Sequence, residues 1–421
     1  MTTQCDVAVL GAGLAGLCAA RDLIGAGLNV AVLEARDRVG GRTLTVPFEA
    51  AGLRVDLGAE WVAPAHHVAL MEELRSYGIG LEPAPEESGD SVLKGLSANA
   101  ISVLRELESI SKQVDPTDPA WYAAMGKFDV PMAAYLRSCD LDESSERLIL
   151  AHSFALQGAH PDDYSLINLL HEFAAFGGIE QAFGAAEHRI VGGTQALSVA
   201  ISESITSSVH LNWPIEVITQ SDAGAAIAGP RGHIEAGQVI IALPLNVLKN
   251  LTLEIDLPDA AQAVIRQRHA GRAAKGWTRA QIQDAVTSSG WPDAAEVYSR
   301  QGSLSDAVCT FAVAHPDHSQ GLAKSWEALS RRHTDVILAE ASLSHDWVED
   351  PYAKGSWLSL YPGQAEGVHQ LADNPPPCLF AGGDLSRGWY GWMEGAVSSG
   401  RDAAARLLAY RQRGELRPAQ G

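Results

Sequence analysis

Cysteine is sparse and scattered: Cys5, Cys18, Cys139, Cys309 and Cys378 are spread over 421 residues with no CxxC pair and no zinc-like spacing. That distribution argues against a disulfide framework and against a thiolate metal centre, so no metal is expected. Positive charge is also short. Against 51 acidic residues stand 31 basic ones, a formal charge of −20, and no basic run could follow a phosphate backbone. Nucleic acid is therefore not an expected partner. No apolar run approaches the ~20 residues that span a bilayer. Residues 1–6 lead straight into an apolar strand without the basic and apolar stretches of a secretory signal, and the tail 411–421 is polar with no membrane anchor. A soluble, cytoplasmic protein without membrane contact is expected. Internal repeats, low-complexity linkers and a Ser/His/Asp arrangement are missing too. His66, His67, His171 and His188 read as core or surface residues rather than catalytic ones.

What is present begins with 46% hydrophobic residues and 40 glycines in a chain long enough for a large α/β protein. The densest signal lies in residues 7–34. A short apolar strand (Val7, Ala8, Val9, Leu10) runs into Gly11-Ala12-Gly13-Leu14-Ala15-Gly16, then a helical face of Leu17, Ala20, Leu23 and Ile24, then a second strand that ends on Glu34. This is a βαβ nucleotide-binding unit. Gly11 permits the tight turn, Gly13 lets the backbone approach a pyrophosphate, and Gly16 lets helix and strand pack closely. Glu34 stands where a carboxylate accepts ribose hydroxyls.

Further along, residues 53–58 read as strand and turn and 67–77 as a helix. Residues 83–184 are mostly helical, with Ile101, Leu104 and Leu107, and later Leu148, Ile149 and Phe154, at helical spacing. Val191-Gly192-Gly193-Thr194 is expected to cap a helix from about Gln195. Residues 209–218 resume strand character, and 239–244 form a buried strand stopped by Pro244. Residues 308–313 and 357–361 read as strands, and 379–384 as a strand and glycine turn before a helix over 393–410. Nucleotide-binding segments thus fall at the start, middle and end, which implies two interleaved, discontinuous domains.

Past Glu34 comes Ala35-Arg36-Asp37-Arg38-Val39-Gly40-Gly41-Arg42, a second glycine and arginine cluster for which an NAD dehydrogenase has no use. Near the other end stand Leu379-Phe380-Ala381-Gly382-Gly383-Asp384 and Gly391-Trp392-Met393-Glu394-Gly395-Ala396-Val397, with Gly400. These segments resemble the FAD-dependent, monoamine-oxidase-like amine oxidase family. The resemblance implies a two-domain α/β fold: a Rossmann-like FAD-binding domain (residues 1–80, 185–257 and 371–421) and a mixed-sheet and helical substrate domain (81–184 and 258–370). It further implies that FAD is contacted by Gly11, Gly13, Ala15, Gly16, Glu34, Ala35, Arg36, Gly41, Arg42, Gly58, Ala59, Glu60, Trp61, Val217, Gly383, Asp384, Trp392 and Met393. Arg36 and Arg42 supply guanidinium charge for the pyrophosphate. The helix from Met393 directs its N-terminus at the flavin, where free N–H groups stabilise negative charge. Asp384 departs from the Glu that many members carry.

Lys275 falls where the family places a lysine that holds a water against flavin N5. Trp357 and Trp392 fall where many members put the two rings of an aromatic cage, and being tryptophan rather than tyrosine they suggest a bulkier or flatter substrate. Ser356 stands at a position where some members carry the cysteine that bonds to flavin, so noncovalent FAD is expected. Trp61 replaces the arginine that binds the carboxylate in L-amino-acid oxidases, and Ala63 replaces a carboxylate of polyamine oxidases. Glu60 has two readings: an anchor or base for an amine beside the flavin, or a residue bonded to backbone amides or cofactor. The expected activity is hydride transfer from the carbon next to nitrogen of an amine to flavin N5, with O2 reduced to H2O2. The alternative is a biosynthetic oxidase or cyclase acting on an amide or amine of a secondary metabolite, with Glu60 managing protons. The expected partners are a small amine or amide, O2 and, as is usual in similar enzymes, a second copy in a homodimer.

Overall fold

The structure, a computed structural model, describes residues 3–84, 92–221, 223–315 and 318–413; most of the polar tail lies outside them. The strand Thr3–Leu10 is inaccessible on both faces from Val7 to Leu10, as its unbroken apolar run demands of a central parallel strand. It pairs in parallel with Val30–Leu33 on one side and with Gly232–Ile241 on the other. The first half of Gly232–Ile241 also pairs antiparallel with Gly224–Gly229, and its second half pairs in parallel with Cys378–Phe380. Strands from the beginning, middle and end of the chain therefore meet in one eight-stranded sheet.

Residues 209–218 are not one strand. Val209–His210 joins Val30–Leu33, residues 211–216 leave the sheet, and Val217–Ser221 pairs with Gly224–Gly229 and Thr252–Glu254. The interruption lets Asn212 and Trp213 donate their N–H groups to the carbonyls of Arg36 and Glu34. The helix Gln195–Ser204 starts where expected, but the Thr194 side chain does not cap it. The Thr194 hydroxyl instead bonds the Asp56 carboxylate and the Ala59 carbonyl, tying this helix to the loop that leads to Glu60.

A second, antiparallel sheet has the order Thr287–Ser289, Glu296–Arg300, Asp306–Val313, Ala273–Gln281, Ile337–Ser344. In it Lys275 lies opposite Phe311. A small sheet of Trp61–Val62, His188–Ile190 and Leu81–Pro83 sets Trp61 opposite Arg189. The helical region contains Ala98–Ser111, Glu143–Gln157 and Leu166–Phe176, whose N-termini are capped by Ser97, Asp142 and Ser165. The last two end on glycines in the left-handed conformation, Gly158 and Gly177.

Residues 357–361 join no sheet. The buried Asn168 side chain accepts from Leu360 N–H and donates to Leu360 C=O, while Ser165 N–H donates to the same carbonyl. At Leu360 one helix-borne side chain, Asn168, and the Ser165 backbone thus take the place of a neighbouring strand, a substitution that the apolar pattern of the segment does not reveal. Among the described residues no helix is long and apolar enough to cross a membrane.

Candidate active site

A continuous cavity, about 1860 Å3 with the open solvent at its mouth included, runs from the first βα turn to the antiparallel sheet. At one end Gly11, Gly13, Ala15, Glu34, Ala35, Arg36, Gly41 and Arg42 line it; towards the other are Gly58, Ala59, Glu60, Trp61, Lys275, Trp357, Gly383, Asp384, Trp392 and Met393. Two expected contacts are absent from the lining. A Cβ on Gly16 would sit 2.0 Å from the Gly11 carbonyl oxygen, so this glycine serves helix–strand packing. Val217 belongs to the outer antiparallel ladder, and Trp213 and Ile215 of the irregular segment before it line the cavity instead.

The nucleotide end is formed by backbone and carboxylates. Glu34 accepts Ala12 N–H at 2.8 Å and Arg36 N–H at 2.9 Å, one on each oxygen, and each oxygen keeps a lone pair for a hydroxyl. Gly13 has nothing nearer than 4.0 Å to where a Cβ would sit, and Gly382 nothing nearer than 3.9 Å, so bare backbone faces open space there. Such a cradle, an acid at the ribose position and a helix N-terminus between them fit FAD. The two arginines are less free than the sequence implied. Arg36 makes a two-point pair with Asp350 at 2.9 and 2.7 Å, and Arg42 bonds Asp384 and the Ser356 carbonyl at 2.7 and 2.8 Å. Burial alone would raise the Asp384 carboxyl, but the Arg42 guanidinium holds it below the usual carboxylate range. Asp384 also accepts Leu245 N–H at 3.0 Å, and so ties three chain segments together.

Lys275, on the antiparallel sheet, and Glu60, in the loop just before Trp61–Val62, are brought into direct contact. The Lys275 ammonium donates to the Glu60 carboxylate and, at 3.3 Å, to the Gly58 carbonyl, and stands 5.1 Å from the centre of the Phe311 ring. Glu60 also accepts from the Tyr298 hydroxyl and lies 3.2 Å from Arg189 Nε. Burial works against both charges, yet Lys275 and Arg189 hold Glu60 below its ordinary value, and Glu60 holds Lys275 above its own. Glu60 thus spends its oxygens on Lys275, Tyr298 and Arg189, partners that neither of its two sequence readings had named. Two of the three Lys275 protons meet the Glu60 carboxylate and the Gly58 carbonyl, and the residue lines the cavity.

The walls beside this cluster are aromatic. Trp357 is wedged where Gly158 and Gly391 have no side chains, since a Cβ on either would lie 2.5 or 3.2 Å from its ring. Its indole N–H donates to the Leu156 carbonyl at 2.7 Å. The Trp392 N–H donates to Glu172 at 3.2 and 3.1 Å. Ser356 accepts Ala273 N–H at 3.1 Å and offers no thiol. Ala63, His67 and His171 are buried, and His66 and His188 are half-buried. Burial pushes the His67 imidazole down to about 3.

Sequence reasoning missed Arg189, Tyr298, Glu296, Phe311 and Trp347. The last three line the cavity, and the first two reach Glu60. No motif marks them, because each enters through strand register or loop packing far from the glycine signatures.

Fold and cavity define a dinucleotide-binding protein with an apolar chamber at one end. The chain matches the flavin containing amine oxidoreductase family over residues 14–408. It is 30% identical to a provisionally named flavin-containing monoamine oxidase, AofH, of Mycobacterium tuberculosis, covering 96% of each chain. It is 26% identical to (S)-6-hydroxynicotine oxidase of Paenarthrobacter nicotinovorans, covering 96% of this chain and 99% of that one. The solved structure of cyclohexylamine oxidase from Brevibacterium oxydans superposes with a TM-score of 0.84 at 24% identity, over 97% of this chain and 100% of that one. The chain belongs to the flavin-containing amine oxidoreductase family, and is an FAD-dependent oxidoreductase acting on CH–NH or CH–NH2 groups.

Proposed function

We propose that this enzyme oxidises a neutral amine whose nitrogen-bearing carbon carries flat or cyclic apolar groups, with O2 as the electron acceptor. The chemistry that FAD supplies when bound is acceptance of a hydride at N5 from the carbon next to nitrogen, with the two electrons passed on to O2 to give H2O2. The observation that carries the reading is the pair Trp357 and Trp392, lining one chamber with both N–H groups bonded behind the wall. A substrate meets ring carbon there, beside Ala155, Leu156 and Phe311, a surface that favours hydrocarbon over charge.

Lys275 keeps its proton and Glu60 is committed to cations, so neither takes a proton from the substrate, which must enter neutral. Holding the amine between the walls orients its C–H bond, and the remaining Lys275 proton is available to a water beside the flavin. Trp61 and Ala63 leave no arginine or carboxylate at the positions used for amino acids or polyamines. The relative named for 6-hydroxynicotine supports a ring-bearing substrate. The amide-oxidising cyclase loses its proton-managing residue, because Glu60 is locked in ion pairs. Cytoplasmic residence and a homodimer belong to this proposal, and light scattering on the purified protein tests the latter.

Anaerobic mixing of the yellow protein with benzylamine or cyclohexylamine should bleach its flavin absorbance, and readmitted O2 should restore it with release of peroxide. Bleaching by putrescine or an α-amino acid but by neither of these amines would overturn the substrate class. No bleaching by any amine would overturn the reaction.

A further inference from the structure

Behind the tryptophan wall lies a carboxyl group that the reaction does not use. Glu172 sits on the helix Leu166–Phe176 among the buried apolar residues Leu169, Leu170, Phe173 and Phe176, and is 4% exposed. It does not line the cavity; Trp392 does, and its indole N–H reaches both Glu172 oxygens, at 3.2 and 3.1 Å. A carboxyl group in a hydrocarbon layer is unfavourable unless hydrogen-bonded, so its presence on this helix face calls for a role.

The rest of the indole is boxed by rings. His67 lies 5.1 Å away between centroids and Phe176 5.2 Å, inclined at 54° and 68°. Ring packing of this kind confines the plane of an indole but discriminates weakly between its two edges, since both are flat and of similar width. The N–H partner breaks that near-symmetry. Trp357 is fixed in the same manner by the Leu156 carbonyl, a backbone group that substitution leaves in place. Glu172 is a side chain, and so it is the adjustable one of the two fixings.

We propose that Glu172 is a positioning residue that sets substrate specificity through Trp392: it holds the indole N–H out of the chamber, so that the wall presents only ring carbon to an amine. The effect on substrate rests on the amine-oxidising reading above; the hydrogen bond does not. Without the carboxyl, the indole is free to turn and expose a polar N–H to the chamber, at the expense of apolar substrates.

The test uses the FAD-loaded full chain with indole-15N-labelled tryptophan. Loss of one signal in W392F identifies the Trp392 N–H. In the wild type and in E172Q, whose amide oxygen accepts the same bond, that N–H should resonate downfield and exchange slowly with solvent. In E172L it should shift and exchange faster. The dissociation constant of cumylamine, an aryl amine with no hydrogen on the carbon bearing nitrogen, should rise about tenfold in E172L, and KM for benzylamine likewise, with kcat within about threefold. E172Q should restore both, and E172L added to W392F should change neither further. E172M replaces E172L if the latter is insoluble. An unshifted Trp392 signal in E172L overturns the proposal, as does an equal loss of affinity in E172L and E172Q. If the signal responds but no amine binds or reacts in the wild type, the specificity claim falls together with the proposed function, while the hydrogen bond stands.

Discussion

At the nucleotide end of the cavity the chain presents mainly backbone: bare glycines, a helix N-terminus, and Glu34 held by the N–H groups of Ala12 and Arg36. At the amine end it presents side chains from widely separated segments, with Trp61, Lys275, Phe311, Trp357 and Trp392 converging on one chamber. Backbone recognition depends on local conformation, so it tolerates little change within the motif and is indifferent to change elsewhere. Side-chain convergence depends on register and packing across the molecule, so it can be retuned residue by residue without disturbing the cofactor. The two ends are joined at Asp384, which binds Arg42 of the first and the Leu245 N–H of the short helix that follows Pro244.

That contrast can be broken most severely at Gly16. Its Cβ position is 2.0 Å from the Gly11 oxygen and 3.3 Å from Ala242 Cβ, so Gly16→Val should yield protein without bound FAD and destabilised by upwards of about 4 kcal/mol. Visible absorbance and denaturant titration measure the two effects; a yellow, stable variant would show that the turn is not the determinant. At the opposite end Glu60→Gln leaves Lys275 and Arg189 buried without their carboxylate. A loss of about 3–5 kcal/mol is expected, partly recovered in the double variant with Lys275→Met. Urea midpoints for the set decide this, and a cost under about 1 kcal/mol would remove the cluster as a structural element of the amine end.

A pH effect separates the ends more finely. Burial raises the Glu172 carboxyl from 4.5 to about 8, so between those values the folded chain holds a proton that the unfolded chain has released. Its contribution is full below pH 4.5 and is lost as pH climbs through 8. Glu172→Gln should therefore gain on the wild type by on the order of a few kcal/mol between pH 5 and 9, read from Tm in matched buffers. Parallel Tm curves for the two proteins would refute it. The smallest effect is expected from Trp357→Phe, which keeps a ring but loses the bond to Leu156. KM for an aryl amine should rise about tenfold, equivalent to about 1.4 kcal/mol, with FAD content unchanged. A simultaneous loss of FAD would mean that the chamber and the cofactor site are not separable.

Much of the nucleotide end was legible in the sequence because its physics is local. The spacing of Gly11, Gly13 and Gly16 reports a turn and a close approach, and Glu34 follows at the end of the next strand. Lys275, Trp357 and Trp392 were legible only through family resemblance, since nothing in their own neighbourhoods demands that they share a cavity. The strand reading of residues 357–361 failed because an apolar run looks the same in the sequence whether its backbone pairs in a ladder or, as at Leu360, with the Asn168 side chain. Val217 misled for a related reason: the segment around it divides, and the part that leaves the sheet is the part that reaches the cavity. Glu172 was visible as an acid inside the apolar run Leu169-Leu170-His171-Glu172-Phe173, a signal that periodicity alone passes over.

The sequence by itself determined the parallel core and the cofactor cradle, because apolar runs bury themselves and only glycine permits the approaches that a dinucleotide needs. Tertiary structure alone decided the charge states and orientations around the amine. Glu60 meets Lys275 across 215 positions of chain, and Trp392 meets Glu172 across 220. Whether a carboxyl group acts as base, counter-ion or clamp depends on what burial and its neighbours leave it to do, and for these two the neighbours come from the far side of the fold.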